Sequence, residues 1–341
     1  MSSSVQFYMT TILVYLGVDI IACLGLNLQF GMTGLVNFSF IVFQAAGAYT
    51  AAVVTLGPSS GNGGFQRYVG GANWPFPLPI LAAAVVGGLL ALIIGLFGLR
   101  RLRADYQAMV LLVVSLIATT VANNASGLVN GANGLALVPK PLQSTFNLSP
   151  LGFQWVFALI SLSVAALIYL LVRRITNSPL GRTLRAVREN EFAAIALGKN
   201  VAALRLRAFV IGGAIAAVSG ALFVEFITAW SPASWLFTES FVYFAALIVG
   251  GAGNNLGAVV GAALVPVGFL EATRFIPQFG RPGLVDALQW IVVGLLVALF
   301  LWFWPQGVFP ERKRRYPPSR LRPSEADSPA PDRAPEMSPG A

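Results

Sequence analysis

The sequence has no histidine and a single cysteine, and only 10% of its 341 residues are charged. Without histidine there is no imidazole to serve as general acid or base. With Cys23 alone there is no intrachain disulfide, and zinc, haem and iron–sulfur sites lack their ordinary ligands. A soluble domain carries about 25% charged residues. A chain that is 56% hydrophobic has too little polar surface to face water over this length. No G-x-x-x-x-G-K-[ST] phosphate loop occurs, so the chain is not expected to bind and hydrolyse ATP in the usual way. The opening MSSSVQFYMT lacks a basic n-region, and no small-residue cleavage site follows. The first apolar stretch therefore reads as a retained span.

Long uncharged runs fill the space those absences leave. Leu78–Leu99 and Gly152–Val172 contain no charge, and each is long enough for a hydrocarbon core of about 30 Å. The pattern predicts spans at Val5–Leu28, Leu35–Leu56, Leu78–Leu99, Tyr106–Ala122, Gly152–Val172, Ala208–Thr228, Phe241–Leu270 and Ala287–Trp304. Phe241–Leu270 is too long for one span and is interrupted by GGAGNNLG (Gly250–Gly257), so it reads as two. The fold class that follows is all-α: a polytopic membrane bundle of about eight to ten helices. Trp74, Trp155, Trp230, Trp235, Trp302 and Trp304 sit near span ends, where interfacial aromatics belong.

The net charge of +9 is unevenly placed. Three arginines lie at 100–103, eight basic residues between Arg173 and Arg207, and seven beyond Pro310, together 18 of the 22. Basic clusters in short loops between spans mark the cytoplasmic side, not a nucleic-acid surface. The loops 57–77 and 123–151 then face outside; the second carries Asn-Gly turn signals. Residues 1–310 read as the membrane domain. Residues 311–341 are Pro-rich, charged and nearly without apolar side chains, the composition of a disordered tail. The tail's basic start reads as a solvated flank or as a contact for anionic lipid.

One charged segment interrupts the apolar pattern: NSPLGRTLRAVRENEFAAIALGKN, Asn177–Asn200. Ser178-Pro179 is a helix start and Gly198 a helix stop. Leu184, Val187, Ala194 and Leu197 share one face, flanked by Phe192 and Ile195, with arginines elsewhere. A plain cytoplasmic linker needs neither cap, so residues 178–200 read as a helix that docks on a partner. The expected docking residues are Leu184, Arg185, Val187, Arg188, Glu191, Phe192, Ala193, Ala194, Ile195 and Gly198.

Two glycine-broken stretches, LQFGMTGLVNFS and VGGAGNNLG, point to a translocation pathway, because broken helices are tolerated in lipid where they line a cavity. The candidate pathway residues are Asn27, Gly31, Gly34, Asn37, Ser39, Gln44, Gly250, Gly251, Gly253 and Asn254. Gly261 and Ala262 read as helix-packing contacts. Asp19, near the middle of the first span, reads either as a pathway charge or as an interhelical contact. Glu225, Glu271 and Asp286 fall near span ends and read as interfacial.

The segment SPLGRTLRAVRENEFAAIALGKN resembles the cytoplasmic loop of ABC importer permeases. More narrowly, it is similar to the longer permease subunit type of the high-affinity branched-chain amino acid importers. The likeness continues through GLNLQFGMTGL (Gly25–Leu35), LRADYQAM (Leu102–Met109), NGANGLALVPKP (Asn130–Pro141) and VGGAGNNLGAVVGAAL (Val249–Leu264). Where that family commonly has Gly and His, this chain has Ser39 and Phe40. The resemblance implies a permease subunit without its own ATPase site, in the inner or plasma membrane, with residues 178–200 as the coupling helix. Its implied partners are a homologous second permease subunit, two ABC ATPase subunits holding ATP and Mg, and a soluble or lipid-anchored solute-binding protein. The implied solute is a branched-chain amino acid, with urea, short amides and other small acids carried by related permeases. A stand-alone ion-gradient transporter of a small amino acid or amide is the alternative reading; an intramembrane enzyme is more distant, since no paired carboxylate motif occurs.

Overall fold

The computed structural model describes residues 3–58, 66–99, 104–143, 146–273 and 284–311. The expected tail beyond Glu311 and the basic cluster 100–103 lie outside the described residues. Everything below belongs to the unit ending at Glu311.

Eleven principal helices and no β-strand, only two isolated bridges, are found among the described residues. α1 is Ser3–Leu26, which runs on into a π-wound turn, Asn27–Gly31. α2 is Phe40–Thr55, α3 Leu78–Gly98, α4 Ala104–Asn124 and α5 Pro150–Asn177. Two short helices follow, α6 (Pro179–Glu189) and α7 (Glu191–Ala196). α8 is Val201–Ile227, α9 Phe237–Gly250, α10 Asn255–Ala262 and α11 Leu284–Phe303. α10 continues as a π-wound stretch, Ala263–Leu270, around Pro266. Proline supplies no N–H and crowds the carbonyl four residues back; the wider winding accommodates both effects.

Among the described residues seven helices are long and apolar enough to cross a membrane, and two shorter apolar helices, Phe40–Thr55 and Ala287–Phe303, lie within two further predicted spans. The long run 241–270 is two helices, as the glycines predict, and they meet at Gly250–Asn254.

α8 is the axis of the bundle. Its apolar stretch is 67% buried, against 28% for each of α3, α4 and α5. α2 and α3 pack along one side of it and α1 along another, while α5 lies on α1. Lipid tails are as apolar as leucine, so close van der Waals contact must hold such helices together. Small residues permit that contact: a Cβ on Gly220 would lie 1.9 Å from the Gln44 carbonyl oxygen, and one on Gly47 2.1 Å from that of Ala217. Gly261 meets the Ala246 carbonyl in the same way, at 1.9 Å, which fits its reading as a packing contact. The outer faces of α3, α4, α5 and α11 expose rows of Leu, Val and Ile, as lipid or a neighbouring membrane subunit requires.

At the end of the bundle where α8 stops, the loops bind one another. Leu135 and Trp230 exchange backbone hydrogen bonds of 2.8 and 2.7 Å, and Gln66 bonds both the N–H and the carbonyl of Ala136. Asn130, Gly131 and Gly134 take the positive φ angles expected of this Asn-Gly turn. Trp230 and Trp235 depart from the sequence reading. Both are 2% exposed rather than interfacial, because the loop folds inward and Trp235 Nε1 donates to Tyr49 Oη at 3.3 Å.

Gly220→Val should be among the most damaging substitutions in the chain. Overpacking costs about 1–3 kcal/mol, and backbone cannot rotate out of the way. The expected outcome is a clearly lower yield of folded protein and a lower unfolding midpoint in detergent, with Gly294→Val, which meets open space, as the control.

Candidate functional site

Both glycine breaks lie at the opposite end of the bundle, beside α6, and side chains satisfy the polar groups they free. Asn27 sits in the widened turn. Its Oδ1 accepts from Gly253 N at 2.9 Å and its Nδ2 donates to Asn255 Oδ1 at 3.1 Å. Asn255 in turn donates to Thr176 Oγ1 at 3.0 Å. Gln29 donates to the Phe209 carbonyl at 2.9 Å and accepts from Asn37 at 2.8 Å, while Asn37 Oδ1 accepts from both N and Oγ of Ser39. Asn27, Gln29, Asn37 and Ser39 are all within 1% of complete burial. Gly31 is pressed so close to Asn27 and Gly253 that a Cβ would meet them at 2.0 and 2.5 Å.

Of the expected pathway residues, Asn27, Gly31, Gly34, Asn37, Ser39, Gly250, Gly251, Gly253 and Asn254 are not among those lining the polar cavity. Asn27 joins the two breaks through Gly253 and Asn255, while Asn37 and Ser39 tie the first break internally. Unpaired backbone inside lipid costs several kcal/mol per group. The side-chain amides of Asn27, Gln29 and Asn37 take internal partners.

The cavity itself lies further along α1, towards the end where α8 stops. It measures about 360 Å³, within the range of small-molecule sites. Asp19 and Gln44 line it, the two residues of the expected set that do. Tyr243, Glu239, Glu271 and Gln289 join them. Tyr243 Oη stands between Gln44, with Nε2 at 3.1 Å as donor and Oε1 at 3.2 Å as acceptor, and Asp19 Oδ1, a second acceptor at 3.4 Å. Val18, Ile41, Val242 and Leu270 form the apolar part of the wall. Among the described residues the wall thus carries three carboxyls and no lysine or arginine. It can receive a cationic group at one side and an aliphatic group at the other. Two larger hollows, of about 620 and 550 Å³, open on the flanks; the second is walled almost wholly by apolar residues of α3 and α5 and offers no convergent polar groups.

Glu271, expected at an interface, faces this cavity and is 6% exposed. Glu225 is fully buried on α8, and neither of its carboxyl oxygens has a hydrogen-bond partner among the described residues. Asp286 has its side chain outside the described residues.

The charged segment is two helices rather than one. Ser178 caps α6 by accepting from Gly181 N at 3.4 Å; Asn190 breaks the run in extended conformation and caps α7 by accepting from Ala193 N at 2.9 Å. Gly198, at φ +73°, ends α7. Its N–H bonds Ile195 O and the Lys199 N–H bonds Ala194 O, the paired bonds of a Schellman cap. Leu184, Val187 and Ala194 are buried against Leu28, Met32 and Leu204, so they hold the segment to the bundle and are not available to a partner. Arg185 and Arg188 pair with Glu311, and Glu191 with Arg205 at 2.9 Å. What remains outward is Phe192 (85% exposed), Ile195 (53%) and Leu197 (77%), with Ala193 beside them.

The family model for the permease component of branched-chain amino acid transport systems matches residues 8–304. The chain belongs to this permease family. It is 30% identical over 323 residues to the high-affinity branched-chain amino acid transport system permease protein LivM of Salmonella typhimurium, covering 89% of this chain and 68% of that protein. The probable LivM permease of Methanocaldococcus jannaschii is 28% identical, with 91% and 96% covered. The Escherichia coli LivM permease is 30% identical, with 85% and 67% covered. No solved structure matches the chain.

In this multi-pass membrane permease the sequence reading missed Tyr243, Glu239 and Gln289 as cavity residues. No local pattern distinguishes them; only packing brings them beside Asp19. Asn190 was legible, since an Asn followed by Glu191 is an ordinary helix start. Tyr243→Phe keeps the ring and removes the hydroxyl between Asp19 and Gln44. At about 1 kcal/mol per hydrogen bond, uptake should fall about fivefold or more with little change in unfolding temperature. Unaltered uptake would show that the solute does not pass this cavity.

Proposed function

We propose that this permease is one of two membrane-spanning subunits of an ATP-driven importer of branched-chain amino acids. The observation that carries the proposal is the outward group of Phe192, Ile195 and Leu197 on α7. Three large apolar side chains stand exposed on a short helix whose two ends are fixed by Asn190 and Gly198. Held so rigidly, they suit the cleft of an ATPase subunit better than open solvent. Buried aromatic anchors of this kind dominate docking energies.

The basic residues from Arg173 to Arg207 put α6 and α7 in the cytoplasm of a cell membrane by the positive-inside rule. The far-end loops then face the side from which a solute-binding protein delivers. ATP and Mg belong to two partner ATPase subunits, and this chain does no hydrolysis of its own. The solute follows from the cavity wall. Asp19, Glu239 and Glu271 suit an ammonium group, and Val18, Ile41, Val242 and Leu270 suit a branched aliphatic side chain. The names of the relatives from three organisms agree with that class of solute.

Membrane vesicles containing the full transporter should accumulate labelled leucine only with ATP, and an uncoupler should leave that accumulation intact. Concentrative uptake by the purified chain under a proton or sodium gradient alone would replace this reading with a secondary transporter. Within the ATP-driven system, Phe192→Asp should insert normally yet lower uptake at least tenfold, equivalent to about 1.4 kcal/mol of lost docking. Full activity in that variant would remove α7 from the ATPase interface.

A further inference from the structure

One side chain touches every part of the joint beside α6. Arg188 Nη1 donates to the Gly31 carbonyl at the first break, and Nη2 pairs with Glu311. Its aliphatic stem lies on Gly34, where a Cβ would come 3.2 Å from Arg188 Cγ, and its head lies on Gly253, where a Cβ would come 2.7 Å from Nη1. Glu311 holds Arg185 Nε as well, at 3.0 Å. The residues before Glu311 are sewn to the second break. Val308 N donates to Val249 O at 2.8 Å, Phe309 N to Gly250 O at 2.9 Å, and Asn254 Nδ2 to the carbonyls of Phe309 and Pro310. Asn27 closes the ring by accepting from Gly253 N.

Four elements distant in sequence therefore meet on a single guanidinium: the docking segment, both broken helices and the C-terminal segment of the bundle. Leu184 and Val187 seat α6 rigidly beneath it, so a displacement of α6 carries Arg188 with it. The breaks are the compliant points. Gly34 and Gly253 sit at φ +71° and +85°, where no side chain stiffens the backbone. A planar fork of five N–H donors can hold a carbonyl and a carboxylate at once; an ammonium on a flexible stem cannot reproduce that geometry.

We propose that Arg188 is the positioning residue that passes movement of the docking segment to both broken helices of the permease. The proposal rests on the ATP-driven reading above and goes beyond it. It assigns coupling inside this chain to one side chain that bonds the Gly31 carbonyl and Glu311, whereas docking belongs to α7.

The test uses the assembled transporter in lipid nanodiscs, following hydrogen–deuterium exchange together with leucine uptake per ATP hydrolysed. In Arg188→Ala, amide exchange should rise at least tenfold in both 31–39 and 250–256, and uptake per ATP should fall at least tenfold. A purely local staple would loosen α6 alone and lower uptake and hydrolysis in proportion. Arg188→Lys should protect one break and not both, with an intermediate coupling ratio. Should Arg188→Ala fail to assemble, Glu311→Gln keeps the question open to measurement, with at least fivefold faster exchange at 250–256 and 307–311 and a lowered coupling ratio. A coupling ratio within twofold of the unaltered protein in either assembled variant, or faster exchange confined to α6 and α7, overturns the inference. If the unaltered transporter accumulates leucine without ATP, the ATP-driven reading falls and this inference falls with it. ATP-dependent uptake in the unaltered protein with an unaffected Arg188→Ala sinks only the inference.

Discussion

A backbone group without a partner is intolerable in hydrocarbon, and both helix breaks of this permease are organised by that rule. Opening a helix at Gly31–Gly34 and at Gly250–Asn254 frees N–H and C=O groups from the helical ladder, and these need other partners. Asn27, Gln29, Asn37 and Asn254 fill the gaps with side-chain amides, each of which offers donors and an acceptor together. The consequence is mechanical. Two helices that would otherwise be independent rods share hydrogen bonds through Asn27.

That shared joint separates the molecule into two functional ends. One end carries the basic residues, the docking segment and the braced breaks. The other carries three loops tied by Leu135–Trp230 and Gln66–Ala136 bonds over the polar cavity. α1 spans the distance: Asp19 faces the cavity while Asn27 and Gly31, about 12–18 Å further along the helix, belong to the joint. A rotation of α1 at its wound turn would therefore alter the cavity wall directly. α8 packs without slack on its neighbours, because Gly220 sits against the α2 backbone and Gly212 against that of α1.

The cavity and the seams obey opposite packing logic. Along α8, polar atoms are few and contact is carried by Gly and Ala, where dispersion alone holds the helices. In the cavity, Asp19, Glu239 and Glu271 collect in a space that packing has left unfilled. Carboxyls in a membrane interior are costly and face a bundle interior or a cavity, as these do.

Length, hydropathy and capping are local properties, and much of what they govern was legible in the sequence. The long apolar helices, the division of the 241–270 run, the Asn-Gly turn and the caps at Ser178 and Gly198 all follow from neighbours within a few residues, whereas the cap at Asn190 that divides the charged segment was passed over. The glycine breaks were visible too. Their role was not, because a sequence shows that backbone is freed and not what satisfies it. Periodicity likewise showed that Leu184, Val187 and Phe192 lie on apolar faces, but only the fold turned the first two inward and left Phe192 bare. The same holds for Trp230, Trp235 and Glu271, placed at an interface by their distance from span ends and found buried: the two tryptophans in a loop that folds inward, Glu271 at the cavity wall. The cavity was beyond reach for a simple reason. Residues 19, 44, 239, 243, 271 and 289 come from five separate helical stretches, and the space between them exists only once those stretches are packed.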